Sequence, residues 1–326
     1  MNSLMLSERR RFSLGASPDP EPGEGEAVLR VEACAVCRTD AVMWDKGHRD
    51  LLLPRVPGHE ICGRVYGAAP SSLQVVWPGI ACGSCDMCRI GRENLCRSMR
   101  IIGFHRDGGF ADCLVVPEAN LLPVPSGITA EVATLAEPFG CALHALDRSR
   151  LRKGERVLIY GGGTLGILLA LGAVAQGAEV LQVDPDLQKL EKGRSFRRSF
   201  HIGGGSVIDG QDAQDFNVVI NATSACGSFS DGIHRLAPGG RYCLFSGLRG
   251  NEEYPASLVN EIHYREADLV GSYGCTRQDM RAALELLVLH EAELSFLIES
   301  RISLEQVQSV MPTVLEGKGF KFVITF

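Results

Sequence analysis

The chain has no excess of positive charge, no leader-like start and no uninterrupted apolar run, and each absence closes off a class of function. Lysine and arginine number 33 against 39 aspartates and glutamates, a formal net charge of −6. Binding nucleic-acid phosphates needs concentrated positive charge, so no nucleic-acid partner is expected. The runs Arg9-Arg10-Arg11 and Arg197-Arg198 are short and are expected to be solvated surface. In the opening MNSLMLSERRR the charges follow a very short apolar stretch, the reverse of the order in a secretion signal. The most apolar window, residues 157–183, contains six glycines together with Gln176, Glu179 and Gln182, which disfavours a membrane helix. A cytoplasmic protein with no membrane partner is therefore expected. In that compartment the twelve cysteines are not expected to form a disulfide scaffold.

What is present is enough for two domains, each with its own core: 326 residues, 45% of them hydrophobic and 22% charged. The first 130 residues or so look β-rich with long irregular loops, the clearest strands being 27–35, 61–66 and 109–116. Loops of that kind gain from a metal staple. Near Pro138 the pattern changes. A helix over 139–148 is followed by a buried strand over 156–160, a helix over 165–176 and a second buried strand over 179–183. Further strands are expected over 216–222 and 241–246, and this block should end near 269–273. Alternation of apolar strands with helices predicts a parallel sheet covered on both faces. A helix over 277–290 carries Met280, Leu284, Leu287 and Leu289 on or near one face. The closing strand over 321–326 is placed back in the first domain. The expected division is 1–138, 139–273 and a returning segment 274–326.

Cys82-x2-Cys85-x2-Cys88-x7-Cys96 is a metal signal. Gaps of two residues let thiolates converge on one ion, and four sulfurs suit tetrahedral zinc with no open position, hence a structural site. Iron–sulfur ligation is the competing reading, although the spacing and the lack of a proline after the last cysteine depart from the bacterial ferredoxin run. A second set of potential ligands is dispersed. Cys37 lies in Cys-Arg-Thr-Asp, His59 and Glu60 in Gly-His-Glu, and Glu137 stands ahead of Pro138. A thiolate, an imidazole and a carboxylate make a mixed site with room for water or substrate.

The strand over 157–160 leads into Gly161-Gly162-Gly163-Thr164-Leu165-Gly166. Glycines at 161, 163 and 166 permit a tight turn, a close approach of backbone to pyrophosphate and tight helix packing. Asp184 ends the next apolar strand, 23 residues beyond Gly161, where a carboxylate binds ribose hydroxyls and repels a 2′-phosphate. NAD is therefore expected ahead of NADP.

The segments CRTD, PGHE, CGSCDMCRIGRENLC, GGFADCLVVP, LAEPF, GGGTLG and LVGSYG together resemble the zinc-containing medium-chain dehydrogenase/reductase family, particularly its sorbitol, polyol and threonine dehydrogenase side. The resemblance implies an α/β fold: a β-rich GroES-like catalytic domain plus a Rossmann-fold dinucleotide-binding domain. It implies that Cys37 and His59 bind a catalytic zinc with Glu137 as third ligand, and that Glu60, beside the metal, exchanges with water or Glu137. Thr39 would pass the alcohol proton and Arg38 would reach the cofactor phosphates. The implied reaction moves a hydride between a secondary alcohol (polyol, cyclitol, sugar-derived or amino alcohol) and NAD, giving the ketone, in a homodimer or homotetramer with one catalytic and one structural zinc per chain. Two departures stand out. Val42 occupies the position of the family's relay histidine, with His48 nearby in sequence. The stretch between Glu60 and Cys82 is also short for the family and predicts an altered loop or a trimmed strand pair. A zinc-stapled binding or regulatory protein, and a reductase using NADP and a different carbonyl substrate, are the alternative readings.

Overall fold

The computed structural model describes residues 1–16, 18–67, 72–206 and 214–326. It divides the chain into two units, Met1–Gly140 with Cys275–Phe326, and Cys141–Gly274. The architecture is the expected one: a mixed sheet of the GroES-like kind in the first unit and a parallel Rossmann-like sheet in the second.

In the first unit the strand Glu26–Ala35 is the spine of a seven-stranded sheet. Its buried positions Leu29, Val31, Ala33, Cys34 and Ala35 enter cores that also take Met43, Ile61, Phe110 and Met311. Glu60–Val65 pairs with it antiparallel on one side, and Lys321–Thr325 antiparallel on the other. The register opposes Ala35 to Glu60 and, across the other edge, to Val323. Just beyond, the Val36 N–H donates to the Phe322 carbonyl over 2.8 Å. Three distant stretches of sequence thus deliver Cys37, the His59-Glu60 pair and Lys321 to one end of three neighbouring strands. The stretch between Glu60 and Cys82 holds the three-residue strand Gln74–Val76. Gln74–Val76 meets Glu60–Val65 only through Cys62 opposite Val75 and Gly63 opposite Gln74. Residues 68–71 of that stretch lie outside the described residues.

Several boundaries differ from the sequence expectation, each for a physical reason. The helix expected from 139 begins at Ala136, because Pro138 sits in the first turn, where a missing N–H costs nothing. The strand expected from 109 begins at Cys113; Phe110 before it bonds instead to the Pro57 carbonyl and fills the core. Helix Arg277–Leu289 is opened by a reciprocal cap between Thr276 and Asp279. It buries Met280, Ala283, Leu284 and Leu287, whereas Leu289, two residues off that stripe, is 71% exposed.

The second unit holds a six-stranded sheet, parallel throughout. Its spatial order is Gly203–Gly205, Glu179–Val183, Arg156–Tyr160, Phe216–Asn221, Leu236–Leu244, Asp268–Gly271. Numbered by sequence this is 3-2-1-4-5-6, the dinucleotide-binding order, with its switch point between Arg156–Tyr160 and Phe216–Asn221. Helix Thr164–Ala175 is apolar all round, and every residue from Gly166 to Ala173 is buried. That apolar helix explains the long apolar window without a membrane. No helix among the described residues is long and apolar enough to cross one.

Candidate active site and metal centres

The four-cysteine segment closes on itself. Cys82 and Cys88 have their sulfurs 4.0 Å apart, Cys85 and Cys88 3.5 Å, and Cys85 and Cys96 4.0 Å. Four thiolates bound to one tetrahedral zinc at about 2.3 Å stand about 3.8 Å from one another, so the donor set fits that ion. Backbone amides of Ser84 and Cys85 pull the Cys82 thiol down to about 6, while burial and the Cys85 thiol push Cys88 up. Thiols packed so closely oppose each other's ionisation until a cation stands among them. Within the loop, Glu93 accepts three N–H contacts from the Arg277 guanidinium, the shortest 2.6 Å, and one of 2.8 Å from the Arg277 backbone. The guanidinium also covers the ring of buried Trp77 at 5.3 Å. The knuckle is anchored to the start of helix Arg277–Leu289 by these contacts.

The dispersed set converges as well. Among the described residues, ligand atoms of Cys37, His59 and Glu60 lie within 4.8 Å of one another. Cys37 caps helix Arg38–Lys46: its sulfur accepts the Thr39 N–H at 3.4 Å, and Asp40 reaches back to the Cys37 N–H at 2.9 Å. Asp40 is fully buried and its second oxygen stands 3.3 Å from His59 Nδ1. That contact is poorly aligned for a hydrogen bond, and both atoms lack another partner. It therefore acts mainly through charge, directing Nδ1 at Asp40 and leaving Nε2 for a metal. Burial opposes the charge on His59, yet Asp40 and Cys37 raise its pKa well above the ordinary imidazole value. Zinc fits here as the replacement for that proton, since its imidazole ligand must be neutral.

Glu60 is fully buried, and both its oxygens meet the Lys321 ammonium, at 2.5 and 2.6 Å. Burial opposes the lysine charge, but Glu60, Cys37 and Glu137 together raise its pKa. Glu137, half-buried in the first turn of helix Ala136–Arg148, is outside the converging trio but close enough to act on Lys321. Lys321 escaped the sequence reading. Its signal is a single cation at an inward position of an otherwise apolar closing strand.

Other singled-out residues have varied placements. Arg38 donates to the Leu315 carbonyl at 3.3 Å, and Thr39 is half-buried in the first helical turn. Trp44 and Phe110 are both core side chains. Val42 offers no proton acceptor. His48 stands edge-on to Phe104 at 5.4 Å, and Phe104 in turn contacts the His59 ring at 5.3 Å. Burial lowers the His48 pKa from the ordinary imidazole value.

In the second unit the glycine loop leaves the end of strand Arg156–Tyr160. Gly161 has φ +124°, and a Cβ there would come 2.8 Å from the Ala222 carbonyl; at Gly166 it would come 1.9 Å from the Gly161 carbonyl. Gly163 caps helix Thr164–Ala175 with no side chain and open space around it, so the first-turn amides of Thr164 and Leu165 are available to phosphate. Asp184 fixes the loop: one oxygen accepts the Gly162 N–H at 2.7 Å, the other the Asp186 N–H at 2.8 Å. These features fit a dinucleotide.

Residues 23–126 match the family model described as the alcohol dehydrogenase GroES-like domain. The L-galactonate-5-dehydrogenase of Escherichia coli (strain K12) is 30% identical over 301 residues, covering 86% of this chain and 85% of its own. The chain belongs to the zinc-type medium-chain alcohol dehydrogenase family. This dehydrogenase is also 28% identical to the L-threonine 3-dehydrogenase of Rhizobium etli (strain CIAT 652) over 330 residues, 94% of this chain and 93% of the relative. A crystal structure from Sinorhizobium meliloti 1021, described as a zinc-binding dehydrogenase bound to NADP, superposes with a TM-score of 0.88 at 28% identity. The match covers 100% of this chain and 99% of that one. The medium-chain dehydrogenase thus carries an open, catalytic-type metal cluster and a closed, structural-type one, and acts as a zinc-dependent NAD(P) oxidoreductase.

Proposed function

We propose that this dehydrogenase oxidises a secondary alcohol, on a polyol, cyclitol, sugar-derived or amino alcohol substrate, to the ketone with NAD. The observation that carries the reading is the convergence of Cys37, His59 and Glu60 on one buried point. A structural metal would need a fourth protein ligand there, whereas the knuckle already has four. When bound, zinc supplies the positive charge that makes an alcohol acidic near neutral pH, and the dinucleotide accepts the hydride. The chain's own residues hold and time these events. Cys37 and His59 would hold the metal and so fix the reacting oxygen's position, Glu137 would serve as the third ligand, and Asp40 would keep the His59 ring in its ligating tautomer. The Thr39 hydroxyl, in the first turn of the Cys37-capped helix, takes the alcohol proton outward. With Val42 in the relay position, water receives it beyond.

The names of the two relatives support the substrate class: galactonate position 5 and threonine position 3 both carry a hydroxyl on an internal carbon. Preference for NAD rests on Asp184, whose carboxylate is pinned beside Gly162 and would repel a 2′-phosphate. The relative solved with NADP makes this the point to test first. NAD and NADP reduction would be followed over polyols, cyclitols, sugar acids and L-threonine, alongside metal analysis. Two zinc ions per chain and turnover with NAD on a secondary alcohol are expected. A protein that holds both metals but oxidises none of these would favour the binding-protein reading. Asp184→Ala should narrow the gap between NAD and NADP, and an unchanged ratio would remove that residue's assigned role.

A further inference from the structure

We propose that Lys321 is a positioning residue that holds Glu60 off the catalytic metal and so keeps the coordination shell open. The inference rests on the zinc reading of Cys37 and His59. Glu60 is within ligand reach of both, yet its two oxygens are occupied by one ammonium, at 2.5 and 2.6 Å. A carboxylate has a limited set of lone pairs, so what Lys321 takes is withheld from a metal. Neither group has water to turn to, with Glu60 at 0% and Lys321 at 6% exposure. The alternative to their pairing is therefore a metal bond or a buried, uncompensated charge.

The charges support the same division of labour. Zinc and Lys321 together would set three positive charges against the four negative ones of Cys37, Asp40, Glu60 and Glu137, with Asp40 already engaged by His59. Removing Lys321 takes away the only protein cation facing Glu60 among the described contacts, so Glu60 gains most by turning to the metal. The strand register makes the restraint stiff rather than incidental. Lys321 opens the Lys321–Thr325 strand, which is hydrogen-bonded into Glu26–Ala35, the strand that ends two residues before Cys37. Glu60 opens the strand on the other side of the same spine.

The test uses the full chain with cobalt(II) in the open site and zinc left in the cysteine knuckle. Visible absorption reports coordination number, and the rate of cobalt loss to a chelator reports ligand count. In Lys321→Met, Glu60 is expected to join the metal: absorption weakens as coordination number rises, and cobalt loss slows by about tenfold or more. Adding Glu60→Gln to that variant should restore the wild-type spectrum and rate. Glu60→Gln alone, with Lys321 present, should leave the spectrum as in wild type, because the carboxylate it removes is not a ligand. The proposal is overturned if folded Lys321→Met has the wild-type spectrum and rate, or if Glu60→Gln alone alters the spectrum. Should Lys321→Met fail to fold, Lys321→Gln, which keeps a polar group beside Glu60 but removes the charge, takes its place with the same expected spectrum and rate, and a folded Lys321→Gln with wild-type values overturns the proposal. A wild-type protein that takes no cobalt outside the knuckle overturns the zinc reading itself, and the tether with it.

Discussion

The two metal clusters solve opposite problems. The knuckle takes all its ligands from Cys82 to Cys96, a single loop stapled by its own sulfurs and largely at the surface. The open centre takes Cys37 from a helix cap and His59-Glu60 from the lip of a strand, and Lys321 closes in from 261 residues away. It is buried, charged and dependent on strand register. A local cluster can form wherever its loop goes, and it fixes shape. A register-built cluster can leave a position vacant for substrate, because the fold rather than the metal holds its ligands apart.

The comparison can be broken at either end. Cys37→Ser carries the largest expected effect: turnover should fall by about a hundredfold or more, with metal content dropping by one ion and thermal unfolding little changed. Unchanged turnover would mean that the open centre is not where chemistry occurs. Cys96→Ser should give the mirror image, with the knuckle ion lost and proteolysis between residues 82 and 96 accelerated by at least about tenfold, while cobalt or zinc stays at Cys37 and His59. Loss of both ions from that variant would show that the clusters are coupled. A third local signature extends the contrast to the dinucleotide loop. Gly166→Ala places a Cβ 1.9 Å from the Gly161 carbonyl, which should cost about 1–3 kcal/mol and weaken NAD binding by about 10- to 100-fold in a titration.

The smallest effect separates non-local charge burial from metal binding. Arg241 and Glu155 lie 86 residues apart and meet through two contacts, of 3.0 and 2.6 Å, with no metal near them. Burial raises the Glu155 pKa, but Arg241 and the Arg152 N–H outweigh it, so the folded value falls below 4.5. The pair's stability is therefore present above about pH 4.5 and fades as pH drops through the folded value. Glu155→Gln should lose about 1–2 kcal/mol in urea unfolding at pH 7, and the gap to wild type should close in more acidic buffer. A gap that did not narrow at all as the buffer was made more acidic would assign the loss to packing instead.

Legibility in the sequence follows the same line between local and register-built. The knuckle could be read from spacing alone, because its ligands are neighbours along the chain. The glycine loop, the buried strands of the second unit and Asp184 were equally readable, since strand, turn and helix follow one another directly. Cys37 and His59 could be grouped by residue type as a possible mixed site, but nothing in either short segment says that Ala35 stands opposite Glu60. Lys321 was invisible because a lone lysine in a strand is ordinarily an edge residue facing water. The start of helix 136–148 is hard to read for a simpler reason: a proline marks a boundary in most sequences, whereas Pro138 is a first-turn residue.

The first unit is interrupted: Lys321 lies 261 residues after Glu60, and all of Cys141–Gly274 is made in between. At about 5–20 residues per second of synthesis, Glu60 waits on the order of 10–50 s for its lysine. During that interval His59 and Cys37 are already outside the ribosome, and a metal captured then would find the carboxylate free to bind. The closing strand is inserted last, between Ile298–Ile302 and Glu26–Ala35, and if Lys321 holds Glu60 as proposed, its arrival is what would draw the carboxylate away. A chain ended before residue 321 would lack the cation that meets both oxygens of Glu60.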